Sequence, residues 1–459
     1  MFVHKNSCEC LKSELDLFSA PMTQTSVQDG MWVVNGVQNG LSDSGTVEFL
    51  ISGTKEHYID LANSYLHIEV KIVNADGTNL ANDATVVPTN NFFHSLWSQV
   101  MMSLNNRDVT SSSSTYPYRS YIENLLTFGP DAKATHLTGS LFYKDTPQHM
   151  DAIDDTNTGA TLRKAFCAGS RVIDMQGKLH LDLMFQQRYL LNEVDVKLKL
   201  TRSKDTFATI RPAGFKVKIT QASLHVRKLK ISSSVQLGHI TALDRGLCKY
   251  PITRVEMKTI TIPGGNQSIS HENLFLGQLP KRVIIGFVDN DAFNGIHNKN
   301  PFNFKHYNLT SLALHSNGRQ IPSKELTPNF TDGLYIRSYM TLFTGLGKFY
   351  ADEGNGISRS DYPHGYTLFA FNLTPDLADG THFDLIKSGD LSLEAKFGNA
   401  LTNSVNIIIY AEFQNLIQID RERNRNINQT GYFTTYSQSD TPEISSPIRP
   451  GFFSIDSQK

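Results

Sequence analysis

The chain's 15 histidines and four cysteines are its best candidates for holding a metal, and their spacing decides whether they do so. A metal-binding barrel of the cupin kind presents a His-x-His pair with a later Glu and His, and no His-x-His occurs here. His271-Glu272 opens the pattern of a zinc-binding helix, but no second histidine completes it. Asp289, Asp291, Asn294 and Gly295 resemble a calcium loop. The third ligand position nevertheless holds Phe293 and the twelfth holds Asn300, so a polar loop is expected. Asp151, Asp154 and Asp155 follow His149 and read as a solvated acidic turn.

Nucleophile and phosphate-binding patterns are equally incomplete. There is no Gly-x-Ser-x-Gly, and Cys167 in AFCAGS has no assignable His or Asn partner. Cys8 and Cys10 have the wrong spacing for a zinc finger or a thioredoxin-like redox pair. Gly345-Leu346-Gly347-Lys348 has Leu342 where a phosphate-cradling loop needs its first Gly and Phe349 where it needs Ser or Thr. It is expected to end a helix, and Gly264-Gly265 after Pro263 to form a hairpin turn. No catalytic, cofactor-binding or metal residue is therefore assigned: the expectation is a non-enzyme without cofactors. The 27 Phe and 17 Tyr point instead toward extensive cores and interfaces, since Tyr suits surfaces apolar on one side and wet on the other.

The elements that would position these residues are mostly strands. Period-two alternation runs through 46–52, 66–73, 179–185, 194–200 and 215–220, and again through 257–262, 283–288, 309–314, 391–397 and 405–413. Gly, Pro, Asn and Asp clusters separate the runs. Helical spacing is confined to a few segments, notably Tyr118–Phe128 and Tyr335–Leu346, so a parallel α/β sheet is excluded.

Those two helical segments share the triplet Arg119-Ser120-Tyr121 and Arg337-Ser338-Tyr339, and Gly129 and Gly347 close them. Just upstream, VMMSLNNRDV (100–109) parallels LALHSNGRQI (312–321), pairing Arg107 with Arg319. TVEFLISG (46–53) parallels TITIPGG (259–265), and LHIEVKI (66–72) parallels VIIGFV (283–288). Collinear landmarks at nearly one offset indicate two copies of a supersecondary unit. With ~150 residues per average domain and larger β sandwiches common, 459 residues suit two large β domains. The expected architecture is all-β: two tandem eight-stranded antiparallel jelly rolls with a few short helices in inter-strand loops. The expected divisions are an arm at 1–27, jelly rolls at 28–232 and 233–425, with the seam in the Ser-rich stretch 231–240, and a Pro-broken arm at 426–459 that docks on a neighbour, simple disorder being the alternative.

Lys plus Arg number 43 against 44 Asp plus Glu, a net charge of −1, which argues against phosphate tracking. No segment approaches the ~18 apolar residues of a membrane span and no secretory leader opens the sequence. Synthesis in the cytosol is expected, with Cys8, Cys10, Cys167 and Cys248 reduced.

Five segments then bear a family likeness: SELDLFSAPMTQTSV (13–27), YIDLANSYLHIEVKI (58–72), NADGTNL (74–80), YPYRSYIENLLTFG (116–129) and LFYKDTPQHMD (141–151). They resemble Polinton/Maverick-type, adintovirus-like, major capsid proteins. The resemblance implies a double jelly roll that forms pseudo-hexameric homotrimers and assembles into an icosahedral shell around double-stranded DNA, without sequence-specific DNA contacts. It also implies trimer–trimer lattice contacts, a separate single jelly-roll penton protein at five-fold vertices, and a place in the virion after assembly in the host nucleus or cytoplasm. The stretch from about 105 to 170 is the candidate for trimer contacts or an outer crown. The alternative is a two-domain carbohydrate-binding module, for which Trp32 and Trp97 are the only tryptophans.

Overall fold

The computed structural model describes residues 7, 10, 12–41, 45–110, 113–210, 214–296, 298–377, 382–385 and 387–427. In the first half, β1 (Val27–Gly36), β10 (Phe215–Ile231), β3 (His57–Asn74) and β7 (Ile173–Gly177) form one antiparallel sheet in that order. Its partner sheet runs β2 (Thr46–Ile51), β8 (Val196–Arg202), β5 (Trp97–Leu104), β6 (Arg107–Asp108). A short extra pair joins β4 (Val87–Pro88) to β9 (Thr209–Ile210).

The second half repeats this wiring. One sheet runs β11 (Cys248–Ile262), β18 (Val405–Ile419), β13 (Arg282–Asp289), β16 (Leu368–Asn372), with β19 (Arg425–Ile427) added on β18. The other runs β12 (Ser268–Gln278), β17 (Ser388–Phe397), β14 (Leu309–Ser316), β15 (Arg319–Leu326). Counting each half's eight main strands in chain order, both halves place them first–eighth–third–sixth in one sheet and second–seventh–fourth–fifth in the other. That is the order of a jelly roll closed by two packed sheets.

The burial pattern explains why these residues form strands. In β3, Leu66, Ile68, Val70 and Ile72 are fully buried in the first core while Tyr65, His67, Glu69 and Lys71 stay half-buried on the other face. In β13 every residue but the last is buried, and in β18 the first seven are, because both faces are covered there. Val283, Ile285 and Phe287 point into the second sandwich, and Ile284 and Val288 into a third cluster between the halves.

Several sequence expectations change. The alternating run at 179–185 makes no ladder: residues Asp182–Phe185 form a 3-10 turn. Its alternation has another cause. Leu179, Leu181 and Leu183 enter the first core while buried His180 and Asp182 bind charged partners. The Ser-rich stretch after β10 forms a helix, Ser233–Leu243. Gly264 and Gly265 lie in a turn between β11 and β12, but those strands belong to different sheets, so no hairpin forms. Of the four landmark pairs, three match equivalent strands or helices; TVEFLISG lies on β2, a second strand, and TITIPGG ends β11, a first strand. Thr, Val and Ile before Gly fit the end of many strands, so that pairing carried little positional information. Of the amino-terminal arm, residues 12–26 hold one 3-10 turn, Ser13–Leu15, and an exposed Phe18 and Met22. Cys8 and the carboxyl arm from 428 lie outside the described residues.

Candidate functional site

In the insert between β6 and β7, the candidate for trimer contacts or an outer crown, the helical part is buried inside this chain. Its helix Tyr116–Thr127 starts with Pro117 in the first turn, where a missing N–H costs nothing. Tyr118, Tyr121, Ile122, Leu125 and Leu126 share one core cluster with Ile284, Val288, Ile408 and Tyr410 from the second half's sheet. The Tyr121 ring stacks on Phe302 with centroids 4.1 Å apart.

An ionic network crosses the same seam. Arg119 bonds Glu123 at 2.9 Å one helical turn on and Asp182 at 2.7 Å. His180 Nδ1 contacts the other Glu123 oxygen, and the Asp182 carboxylate accepts from the Val255 amide at 3.3 Å. Tyr410 on β18 reaches Glu123 at 3.2 Å and Glu412 at 3.1 Å, and Arg282 holds Glu412 at 2.9 Å. Burial opposes charge on Glu123, but Arg119 and His180 outweigh it and hold the carboxyl at about 2. Burial wins for Asp182 and Glu412, which are raised despite Arg119 and Arg282. A phenol has one hydrogen to donate, so Tyr410 satisfies one of these two carboxylates at a time.

A second network centres on Asp145 and Arg163, both fully buried and 2.7 Å apart. Arg163 also donates to the carbonyls of Pro88 and Tyr143 at 2.8 Å. Asp145 accepts from Asn157 at 3.0 Å and from Asn300 of the second half at 3.1 Å, and Tyr366 donates to its carbonyl at 2.6 Å. Nearby Lys133 donates to the carbonyls of Leu125 and Asn355, and burial lowers its ammonium to about 7. Isolated buried charges are costly, so the bonds that Asp145 and Lys133 make across the seam tie the halves to one arrangement.

The residues singled out in the sequence fall elsewhere, in structural roles. Lys299 occupies the would-be calcium loop, bonding Asp289 at 2.9 Å and Asp291 at 3.0 Å. Asp151 accepts from the Asn300 amide and the Asn303 side chain, so the acidic turn is partly a tie between halves, while Asp154 accepts from Thr156. Cys167 is buried against the Val86 carbonyl, and burial raises its thiol to about 11. His271 lies on β12 and contacts its neighbour's carbonyl. Gly345 follows the helix Ile336–Thr344, and Lys348 contacts the Thr127 carbonyl across the seam. Trp97 is fully buried and Trp32 lies on an open sheet face, so neither tops a loop as a sugar platform would.

The networks were missed in the sequence because their partners lie far apart in it; only Arg119 and Glu123, four apart on a helix, left a readable signal. Among the described residues, Asp376, His382 and Asp384 also come together on an exposed loop. A cavity of about 570 Å³ opens beside the helix Ser233–Leu243, where Tyr58 and His239 meet at 2.9 Å. The open face of the β1-β10-β3-β7 sheet stacks Trp32, Tyr65 and His225, with ring centroids 5.3 and 4.8 Å apart, and sets Arg227 over Trp32 at 5.6 Å. No described helix is long and apolar enough to cross a membrane.

No protein-family model matches the chain. An uncharacterised protein of Caenorhabditis elegans is 27% identical over 422 residues, covering 88% of this chain and 98% of that one. Among solved structures, a chain of the Sputnik virophage overlays with a TM-score of 0.63 at 11% identity, covering 97% of this chain and 96% of its own. The mavirus major capsid protein gives 0.53 at 10% identity, covering 93% and 96%, and the Faustovirus major capsid protein 0.53 at 9%, covering 87% and 92%. At these identities the likeness is one of fold: the chain is a double jelly roll, the fold of these viral major capsid proteins.

Proposed function

We propose that this chain is a major capsid protein, a self-assembling shell subunit of the Polinton/Maverick kind. Three copies form a homotrimeric capsomer of pseudo-hexameric outline, and capsomers tile an icosahedral shell around double-stranded DNA. The observation that carries this reading is the pair of sandwiches with identical strand order, locked by one buried seam. A threefold ring of such chains presents six similar β units while keeping closed symmetry. In this reading 28–232 and 233–425 are the two wall units, and the segments 1–27 and 426–459 are arms between subunits. A separate single jelly-roll protein fills the five-fold vertices, and the chain's place is the virion. Near-balanced charge, 43 cations against 44 anions, suits subunits packed in large numbers, since a strong net charge would make them repel.

Light scattering and negative-stain microscopy of the purified chain test this. Three times 51.3 kDa gives a particle of about 154 kDa with a hexagonal outline. A monomer under all salt conditions would overturn the reading.

A further inference from the structure

The two halves differ in which of their equivalent surfaces are covered. On the second half, the outer face of the β11-β18-β13-β16 sheet lies in the cluster filled by the first half's helix Tyr116–Thr127. On the first half, the matching β1-β10-β3-β7 face is open: Trp32 is 48% exposed and Val34 59%. The matching helix of the second half, Ile336–Thr344, is open on one side too, with Ile336 44% exposed, Arg337 exposed and Met340 half-buried. The shared Arg-Ser-Tyr triplet sets these residues against Tyr118, Arg119 and Ile122. Those are residues the first helix buries in the seam.

Among the described residues, each chain therefore contains one joint already made, a second copy of the helix that packs on its own half through Leu342 but leaves its Ile336–Arg337 side exposed, and a second copy of the sheet whose outer face is open. We propose that the open β1-β10-β3-β7 face receives the Ile336–Thr344 helix of a second copy of this chain, remaking between subunits the joint that the chain makes within itself. The inference rests on the capsomer reading above and names its contact surfaces. The chemistry is complementary. Among the described residues Arg337 donates only to the Lys324 and Glu325 carbonyls, whereas Arg119 holds two carboxylates. The open sheet carries Glu69 and Asp174, the latter bonded to His67 at 2.6 Å through one oxygen and with its side chain 72% exposed. Ile336 and Met340 find an aromatic floor in Trp32 and Tyr65. This face is more polar than the inner seam, as suits a surface that is wet before assembly. The contact is head-to-tail, which gives a ring where its rotation closes and never a two-fold dimer.

Two variants test it, each blocking one surface with a charge at an exposed position: Val34→Glu on the sheet and Ile336→Glu on the helix. Each alone is expected to remain folded, with the wild-type melting temperature, and to run as a 51.3 kDa monomer where the wild type runs as a trimer. Mixed in equal amounts they retain one good sheet and one good helix between them, and a dimer of twice that mass, about 103 kDa, should form. A variant that keeps the trimer, or a mixture of folded variants that stays monomeric, overturns this pairing and leaves the capsomer reading standing. A monomeric wild type overturns the capsomer reading itself and this pairing with it.

Discussion

At the residue scale, Glu123 shows how a seam between halves becomes a pH-dependent feature. Its carboxyl lies at about 2 instead of the ordinary 4.5 because Arg119 and His180 outweigh its burial. A lowered carboxyl stabilises the fold above its ordinary value and loses that contribution as pH falls toward the folded one. At about 1.4 kcal/mol per pH unit, the lowering corresponds to about 3 kcal/mol, present above pH ~4.5 and gone near pH ~2. Asp182 and Glu412 are raised and act in the opposite sense, gaining stability on acidification, so the total acid response mixes both signs. Comparing wild type with Glu123→Gln isolates one of them. The variant should be less stable at pH 6, by chemical denaturation, and the gap should shrink steadily between pH 4.5 and 2. A gap independent of pH would mean that the charge on Glu123 does not brace the seam.

At the element scale, two glycines near helices should respond to alanine with opposite signs. A Cβ on Gly345 would stand 2.4 Å from the Ala370 carbonyl oxygen and 2.8 Å from that of Thr341, so the end of the Ile336–Thr344 helix must move off β16. Gly345→Ala should cost about 1–3 kcal/mol. Gly238 lies inside the helix Ser233–Leu243 with nothing within 4 Å of its would-be Cβ, and Gly238→Ala should stabilise by roughly 0.5–1 kcal/mol. A raised melting temperature for Gly345→Ala, or a lowered one for Gly238→Ala, would refute the account of that position. What the sequence made legible at this scale depends on what each face meets. The alternation of β3 reads cleanly because one face is core and the other is half-open. The helix Tyr116–Thr127 reads from its spacing, and the β5–β6 and β14–β15 hairpins from the Asn-Asn and Asn-Gly turns before Arg107 and Arg319. The run 179–185 reads as a strand although its polar positions meet charges and not solvent. Alternation reports two different environments, and a sequence alone does not say whether the second is water. The networks around Glu123 and Asp145 were invisible for a related reason. Asp182 lies 59 residues from Glu123 by their numbering, and Asn300 lies 155 from Asp145, so only the fold brings them together.

At the scale of the whole molecule, the seam is as much a core as either sandwich interior. Tyr250, Ile252, Ile417 and Ile419 come from second-half strands yet pack in the first half's cluster, and the insert of the first half fills the cluster on the second half's sheet. Neither half can open without exposing apolar surface on the other, at about 25 cal/mol per Å². The monomeric chain should therefore melt in one calorimetric transition, with van't Hoff and calorimetric enthalpies equal, although chains of this size commonly unfold domain by domain. Asp145→Ala probes the coupling, because it leaves Arg163 fully buried without its carboxylate and removes an acceptor of Asn300. Breaking a buried pair in this way costs about 3–5 kcal/mol. The loss falls on the joint, so the single peak should move down and separate into two. Two peaks in the wild type would show that the halves are coupled only weakly. A rigid seam has a consequence for assembly: it fixes the angle between the two sandwiches before any partner arrives, and a ring of copies can close only if that angle repeats at every joint.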